Sequence, residues 1–222
     1  MKLHDLLVRT RQLIRDVVYP EGAVCQGCGK ISDGEYLCAG CRKELRYGDM
    51  LEAWALRDLQ GVTAWSMRLH RGLPRKLVLL LKYNAEARAA SELAGMLQDR
   101  PAFFPDLPPE TVVTWVPAPK VRIRERCIDH GRLLAEAVSR ELGLSCRQLM
   151  NRKGNDTPQA GLKEKKRRAN LKHAFVPREE IAFPVLLVDD VLTTGTTALR
   201  CIAALRKAGA EDITVLTATR AL

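Results

Sequence analysis

The stretch VLLVDDVLTTGTTALR, residues 185–200, decides the fold. It opens on four apolar residues with no polar alternation, the pattern of a strand buried on both faces of a parallel sheet. Two carboxylates, Asp189 and Asp190, follow at its carboxyl end, where they are expected to stand exposed at the sheet crest. Residues 192–197 then open a helix that runs to about Lys207 and closes at Gly209. In open parallel sheets, ligands bind outside the carboxyl ends of the strands, where the strand order reverses.

The chemistry of the turn narrows the ligand. A helix start offers unpaired N–H groups and the positive end of the dipole, so Thr193, Thr194, Gly195, Thr196 and Thr197 suit a phosphate. Gly195 lets the backbone approach it closely. Two carboxylates beside a phosphate would repel it unless they serve another part of the ligand, as acceptors for hydroxyls or as partners of Mg²⁺. A ribose 5-phosphate carries both groups at the required spacing. A Walker A loop is excluded, because no lysine follows the glycine. A receiver domain would place its acidic pair near its start, whereas this pair lies late in the chain.

Outward from this motif, the chain reads as strands alternating with helices. TVVTWVPAPK, residues 111–120, is a buried strand entering a proline-stopped loop. Residues 125–142 have helical periodicity up to Gly143, and DITVLTAT at 212–219 is a further strand. The fold class expected is α/β, a mostly parallel sheet flanked by helices. From Leu69 to about Gln98 the apolar spacing predicts two helices split near Tyr83 and Asn84. PAFFPDLPPE, residues 101–110, carries four prolines and marks a boundary. The expected organisation is a helix and metal module over 1–48, a helical hood and connecting region over 49–110, and the α/β domain over 111–222.

The chain of 222 residues is 46% hydrophobic and 28% charged, the composition of a globular protein. No apolar stretch is long enough to span a membrane, and LHDLLVRTRQLIRDVVYP reads as an amphipathic helix without a secretory signal. No membrane insertion and a cytoplasmic location are expected. A net charge of +10 favours polyanions, whether nucleic acid, acidic membrane or phosphorylated small molecules, without choosing among them. Three of the seven cysteines, Cys127, Cys146 and Cys201, are scattered and read as small apolar residues. The other four form CQGC at 25–28 and CAGC at 38–41. Two CxxC turns separated by nine residues make a closed four-thiolate zinc site, with Cys25, Cys28, Cys38 and Cys41 as ligands and no open position for catalysis.

VLLVDDVLTTGTT resembles the signature of type I phosphoribosyltransferases, which bind 5-phosphoribosyl-1-pyrophosphate (PRPP). A four-cysteine knuckle ahead of such a domain is similar to the ComF family of competence-associated proteins. The resemblance takes in LLKY at 80–83, VPAP at 116–119, TPQAGL at 157–162 and RRANLKHAF at 167–175. One departure stands out: where that family has RGFNQ, this chain reads RCIDH at 126–130. His130 in it reads as a cap or surface residue.

The resemblance implies Mg-dependent transfer of a phosphoribosyl group to an acceptor that it does not name, in a setting of DNA uptake and transformation. Asp189 and Asp190 would hold the ribose hydroxyls and favour positive charge on the ring. Thr193 to Thr197 would hold the 5-phosphate. The loop with Pro117 and Lys120 would meet the pyrophosphate, with Arg122, Arg124 and Arg167 as further contacts. The basic loop at 151–170 would be a mobile cover, the alternative being a solvated surface loop. A non-enzymatic PRPP-sensing module that contacts single-stranded DNA or DNA-uptake proteins is the other reading. The run KEKKRR at 163–168, with Trp54, Trp65 and Trp115 for base stacking, would then serve nucleic acid.

Overall fold

The computed structural model describes residues 23–48, 55–84, 86–102, 104–119, 123, 128–153 and 174–221. The expected amino-terminal helix, Trp54, Lys120, Arg122, Arg124, Arg126, Cys127, Arg167 and nearly all of the basic loop lie outside the described residues. The chain divides into two compact units, Met1–Gly48 and Asp49–Leu222.

In the first unit, Val24 and Ile31 form an antiparallel bridge, and helix α1 (Ala39–Tyr47) buries Cys41 and Leu45. The second unit is built on a sheet of six strands. These are β1 (Ala55–Asp58), β2 (Thr63–Leu69), β3 (Val112–Trp115), β4 (Ser145–Cys146), β7 (Val185–Leu192) and β8 (Ile213–Arg220). Their order is β1-β2-β8-β7-β3-β4, and every pairing except β1 with β2 is parallel. The expected α/β class with a mostly parallel sheet is therefore borne out. A separate hairpin joins β5 (Met150–Arg152) to β6 (Phe175–Pro177).

Helices α2 (Gly72–Asn84) and α3 (Ala87–Gly95) arise where the apolar spacing predicts them, and α3 runs on into a 3₁₀ turn at Met96–Asp99. Helix α4 (His130–Leu142) starts later than its periodicity suggests. Its start is set by Asp129, whose carboxylate accepts from the N–H groups of Gly131 and Arg132, and its end by Gly143 at φ 68°. Helix α5 (Thr196–Lys207) packs Ala198, Cys201, Ile202 and Leu205 against Val185, Leu187, Ile213 and Val215, one face of the sheet. The alternate residues Leu186, Val188, Leu216 and Ala218 are also buried. On that side α4 packs against β3, β7 and α3. Burial on both faces is the physical reason for the unbroken apolar run.

Two features differ from the sequence reading. Strands β1 and β2 occupy the part expected to be a helical hood, joined by the two-residue turn Gln60–Gly61, both at positive φ (56° and 80°). Strand β7 does not stop at Val188: it pairs with β8 as far as Leu192 opposite Arg220. The acidic pair therefore lies inside the strand. Asp190 is only 5% exposed, which corrects the expectation of two carboxylates standing exposed at the crest.

Candidate functional site

From β3 the chain passes through α4 to β4 at one sheet edge, whereas from β7 it passes through α5 to β8 on the other side. Strands β3 and β7 are neighbours, so the order reverses between their carboxyl ends, the place where open α/β sheets form a ligand crevice. Trp115 pairs with Val188, so Val116 and Asp189 are the next residues on each side, and the Val116 N–H donates to the Val188 carbonyl at 3.2 Å. The structure thus brings together the 116–119 loop with Pro117, the acidic pair and the 193–197 turn. Pro117 is itself buried. Lys120, Arg122, Arg124 and Arg167 are not among the described residues.

The pleat sends Asp189 and Asp190 to opposite faces. Asp190 meets Lys82 of α2, whose Nζ lies 2.9 Å from Oδ1, and His130 at the start of α4, whose Nε2 lies 3.2 Å from Oδ2. Burial opposes charge on Asp190, but the His130 hydrogen bond and the Lys82 ammonium outweigh it and hold the carboxyl below its ordinary range. Asp189 shares the face of Val185 and Leu187, and its Oδ1 accepts from the Asp190 N–H at 2.9 Å. Burial, reinforced by the neighbouring Asp190 charge, pushes Asp189 up to about 8. The two carboxyls are thus driven in opposite directions, Asp190 toward its charged form and Asp189 toward its neutral one.

The phosphate-type turn is shaped from two sides. Gly195 has φ 79° and caps α5, and a Cβ there would lie 2.8 Å from Leu59 Cδ2. Glycine is thus required both by conformation and by space. The Thr194 and Thr196 hydroxyls lie 2.9 Å apart, the Thr196 N–H donates to Thr194 Oγ1, and Arg57 Nη1 donates to the Thr193 carbonyl at 2.7 Å. Thr193, Thr194, Thr196 and Thr197 are exposed. A guanidinium fixed at the back of the turn and hydroxyls facing solvent make it receptive to an anion.

Lys82, His130, Arg57 and His70 were not legible as site residues. The Thr219 hydroxyl donates to the Asp190 carbonyl at 3.1 Å and lies 2.9 Å from His70 Nδ1. Its one proton is committed, so it accepts from His70, which carries its proton on Nδ1 and leaves Nε2 as an acceptor. Burial, then Lys82 and Arg75, lower the pKa of His70. The signal that could have found His130 was its place immediately after the capping position of a helix that starts beside the acidic strand, but only the sheet order makes that adjacency visible.

In the first unit, the sulfurs of Cys25, Cys28, Cys38 and Cys41 all lie within 4.8 Å of one another, and those of Cys28 and Cys38 are 3.9 Å apart. A tetrahedral site with metal–sulfur bonds of about 2.3 Å has sulfurs about 3.8 Å apart. Burial works against a thiolate at Cys25, but N–H groups led by that of Cys38, together with the Cys41 thiol, bring it down to about 6. Burial and the three neighbouring sulfurs push Cys41 up instead. Four thiolates cannot coexist here without a cation among them. A Cβ at Gly27 would lie 2.7 Å from Cys41 Sγ, so the cradle is closed by the absence of a side chain. These four cysteines could hold a metal ion such as zinc.

In sequence, the chain is similar to competence protein F of Haemophilus influenzae, 28% identical over 213 residues that cover 90% of this chain and 92% of that protein. The resemblance to the ComF family read from the motifs is borne out. No family model matches the chain. Among solved structures, it is similar to the glutamine PRPP amidotransferase of B. subtilis complexed with ADP and GMP. The TM-score is 0.44 at 17% identity, over 64% of this chain and 30% of that one. It is also similar to the adenine phosphoribosyltransferase of Trypanosoma brucei in complex with AMP, pyrophosphate and ribose-5-phosphate. There the TM-score is 0.40 at 14% identity, over 74% of each chain. The chain thus spans less than a third of the amidotransferase.

Proposed function

We propose, starting from a chain that resembles the ComF family along nine tenths of its length, that the crevice between β3 and β7 binds PRPP with Mg²⁺ and transfers its phosphoribosyl group to an acceptor. The observation that carries this is the placement of the acidic pair directly ahead of the Thr-Gly turn at the strand-order reversal. The turn takes the 5-phosphate, and Asp189 and Asp190 take the ribose hydroxyls. The 116–119 loop, with Lys120, Arg122, Arg124 and Arg167, serves the pyrophosphate. In the reaction the C1–O bond to pyrophosphate breaks as the acceptor bonds to C1. The ring gains positive charge on the way, which the ionised Asp190 favours. No nucleophile is needed from the protein, whose task is alignment and charge stabilisation.

The ionised Asp190, with Asp189 once a bound cation displaces its proton, beside phosphate oxygens fits Mg²⁺, which is held by one or two carboxylates together with substrate phosphates. When bound it would neutralise the departing pyrophosphate. The four thiols of the first unit fit structural zinc. Calorimetric titration with PRPP and Mg²⁺ tests the assignment: Asp189→Asn/Asp190→Asn should weaken binding about a hundredfold or more, through loss of the charge-assisted hydrogen bond from Asp190 and of the bond from Asp189. Parent-like binding by that variant would refute it. Pyrophosphate release over a panel of nucleobases then tests transfer.

A second reading is a PRPP-sensing module that contacts single-stranded nucleic acid in DNA uptake without catalysis. The net charge of +10 favours it.

A further inference from the structure

Transfer to an acceptor moves a proton as well as a phosphoribosyl group, and the strand order bears on where that proton goes. In the reading above, the loop after β3 meets the pyrophosphate and the 193–197 turn after β7 meets the 5-phosphate. Displacement at C1 is in line, so the acceptor enters opposite the departing pyrophosphate. Strand β3 lies on one side of β7, and β8 and then β2 lie on the other. The acceptor therefore stands over the carboxyl ends of β8 and β2.

His70 occupies that ground. Leu69, the last residue of β2, pairs with Arg220, which pairs with Leu192 just before the turn. His70 follows this row, and its N–H donates to the Arg220 carbonyl at 2.7 Å. Two strand spacings of about 4.8 Å put it about 10 Å from β7, a gap that a ribose and a small acceptor bridge. The Thr219 hydroxyl gives its proton to the Asp190 carbonyl at 3.1 Å, so it accepts from His70 Nδ1 at 2.9 Å. The imidazole lone pair is then on Nε2. Burial, followed by Lys82 and Arg75, disfavours the imidazolium, while Asp190 acts the other way. Other bases nearby are engaged: Asp190 by Lys82 and His130, and His130 by Asp190.

We propose that His70 Nε2 takes the proton from the attacking atom of the acceptor, which is therefore a nucleophile that carries an N–H or O–H and loses it on transfer. The inference rests on the transfer reading. The acceptor's lone pair forms the bond to C1, the C1–O pair leaves with pyrophosphate, and the proton ends on Nε2.

Two probe nucleophiles isolate this role: water, which must lose a proton, and azide, which has none to lose. The full chain is given PRPP and Mg²⁺ with each, and pyrophosphate release is followed. His70→Gln keeps an amide N–H for Thr219 and is expected to bind PRPP within about twofold of the parent by calorimetry. Its release in water is expected to fall at least about tenfold, the loss of a general base, and azide is expected to restore most of it. His70→Asn is the second variant should the first not fold. A parent that does not bind PRPP, or releases no pyrophosphate with either nucleophile, refutes the transfer reading itself. A variant that matches the parent in water, or a loss that azide does not repair, overturns the role of His70 and leaves transfer standing. Loss of PRPP binding by both variants also overturns it, since His70 would then serve PRPP rather than the acceptor.

Discussion

Two carboxylates on successive residues of one strand acquire different chemistry because the pleat gives each its own surroundings. Asp190 faces an ammonium and an imidazole, which favour its charged form; Asp189, half-buried on the other face, is pushed toward its neutral form. The folded value of Asp189, about 8, lies above its ordinary 3.8. Its contribution to stability is thus fully present below pH 3.8 and lost as pH rises through 8. Asp190 has the opposite sign, its contribution being lost only as pH falls through its depressed value. Asp189→Asn should therefore gain stability over the parent between about pH 5.5 and about pH 7.5, by at most about 1.4 kcal/mol per pH unit. Urea unfolding at the two values checks this, and a constant difference would refute the assigned protonation. The pair and the Thr-Gly turn were legible because adjacent residues carry that signal. Lys82, His70, Arg57 and His130 were not, since only the sheet brings them to residues far away in sequence.

At the scale of elements, the departure RCIDH has a physical reading. The family's Asn position holds Asp129, and Asn and Asp cap helices equally well. The family's Gln position holds His130, which contacts Asp190 in this chain. Asp129→Asn should cost less than about 1 kcal/mol. Asp129→Ala, which loses the cap and orphans the Trp115 indole N–H, should cost about 2–3 kcal/mol in thermal or urea unfolding. Helices α2 and α3 were legible because their apolar residues recur at the helical period. Strands β1 and β2 escaped for two reasons. Their hairpin turns on Gln-Gly rather than the Asn-Gly or Asp-Gly that usually signals such a turn. The polar residues of β2, Ser66 and Arg68, are buried alongside its apolar ones, which hides the expected in-and-out alternation. Ser66 is satisfied by Thr217 at 2.7 Å on β8, a partner no local pattern reveals.

Over the whole molecule, the first unit gathers four cysteines that could hold a metal and the second is built on its sheet. One zinc per chain is expected in protein purified under reducing conditions without chelator. Gly27→Ala should lower zinc retention about as much as Cys25→Ser, because its methyl would press on Cys41 Sγ. Metal analysis after gel filtration checks both, and full retention by Gly27→Ala would show that the cradle relaxes. The charge of +10 leads to a second expectation, weak and sequence-tolerant single-strand binding. Its affinity should fall with log salt at a slope of about −0.7 per phosphate neutralised. Lys165→Ala/Lys166→Ala/Arg167→Ala should make that slope shallower in fluorescence anisotropy. An unchanged slope would place the contacts elsewhere.

The position of β8 between β2 and β7 has a consequence for how the molecule is made. It is the last described strand in the chain and an interior one in the sheet, so β2, complete by Leu69, waits for residues 213–220 before its inner edge is paired. The Arg57 bond to Thr193 spans 136 residues and waits likewise. During synthesis β2 and β7 have open edges with apolar faces, the state in which nascent chains associate wrongly. The crevice is thus assembled late, by closure of distant segments, and its formation should be slow compared with that of the helices beside it.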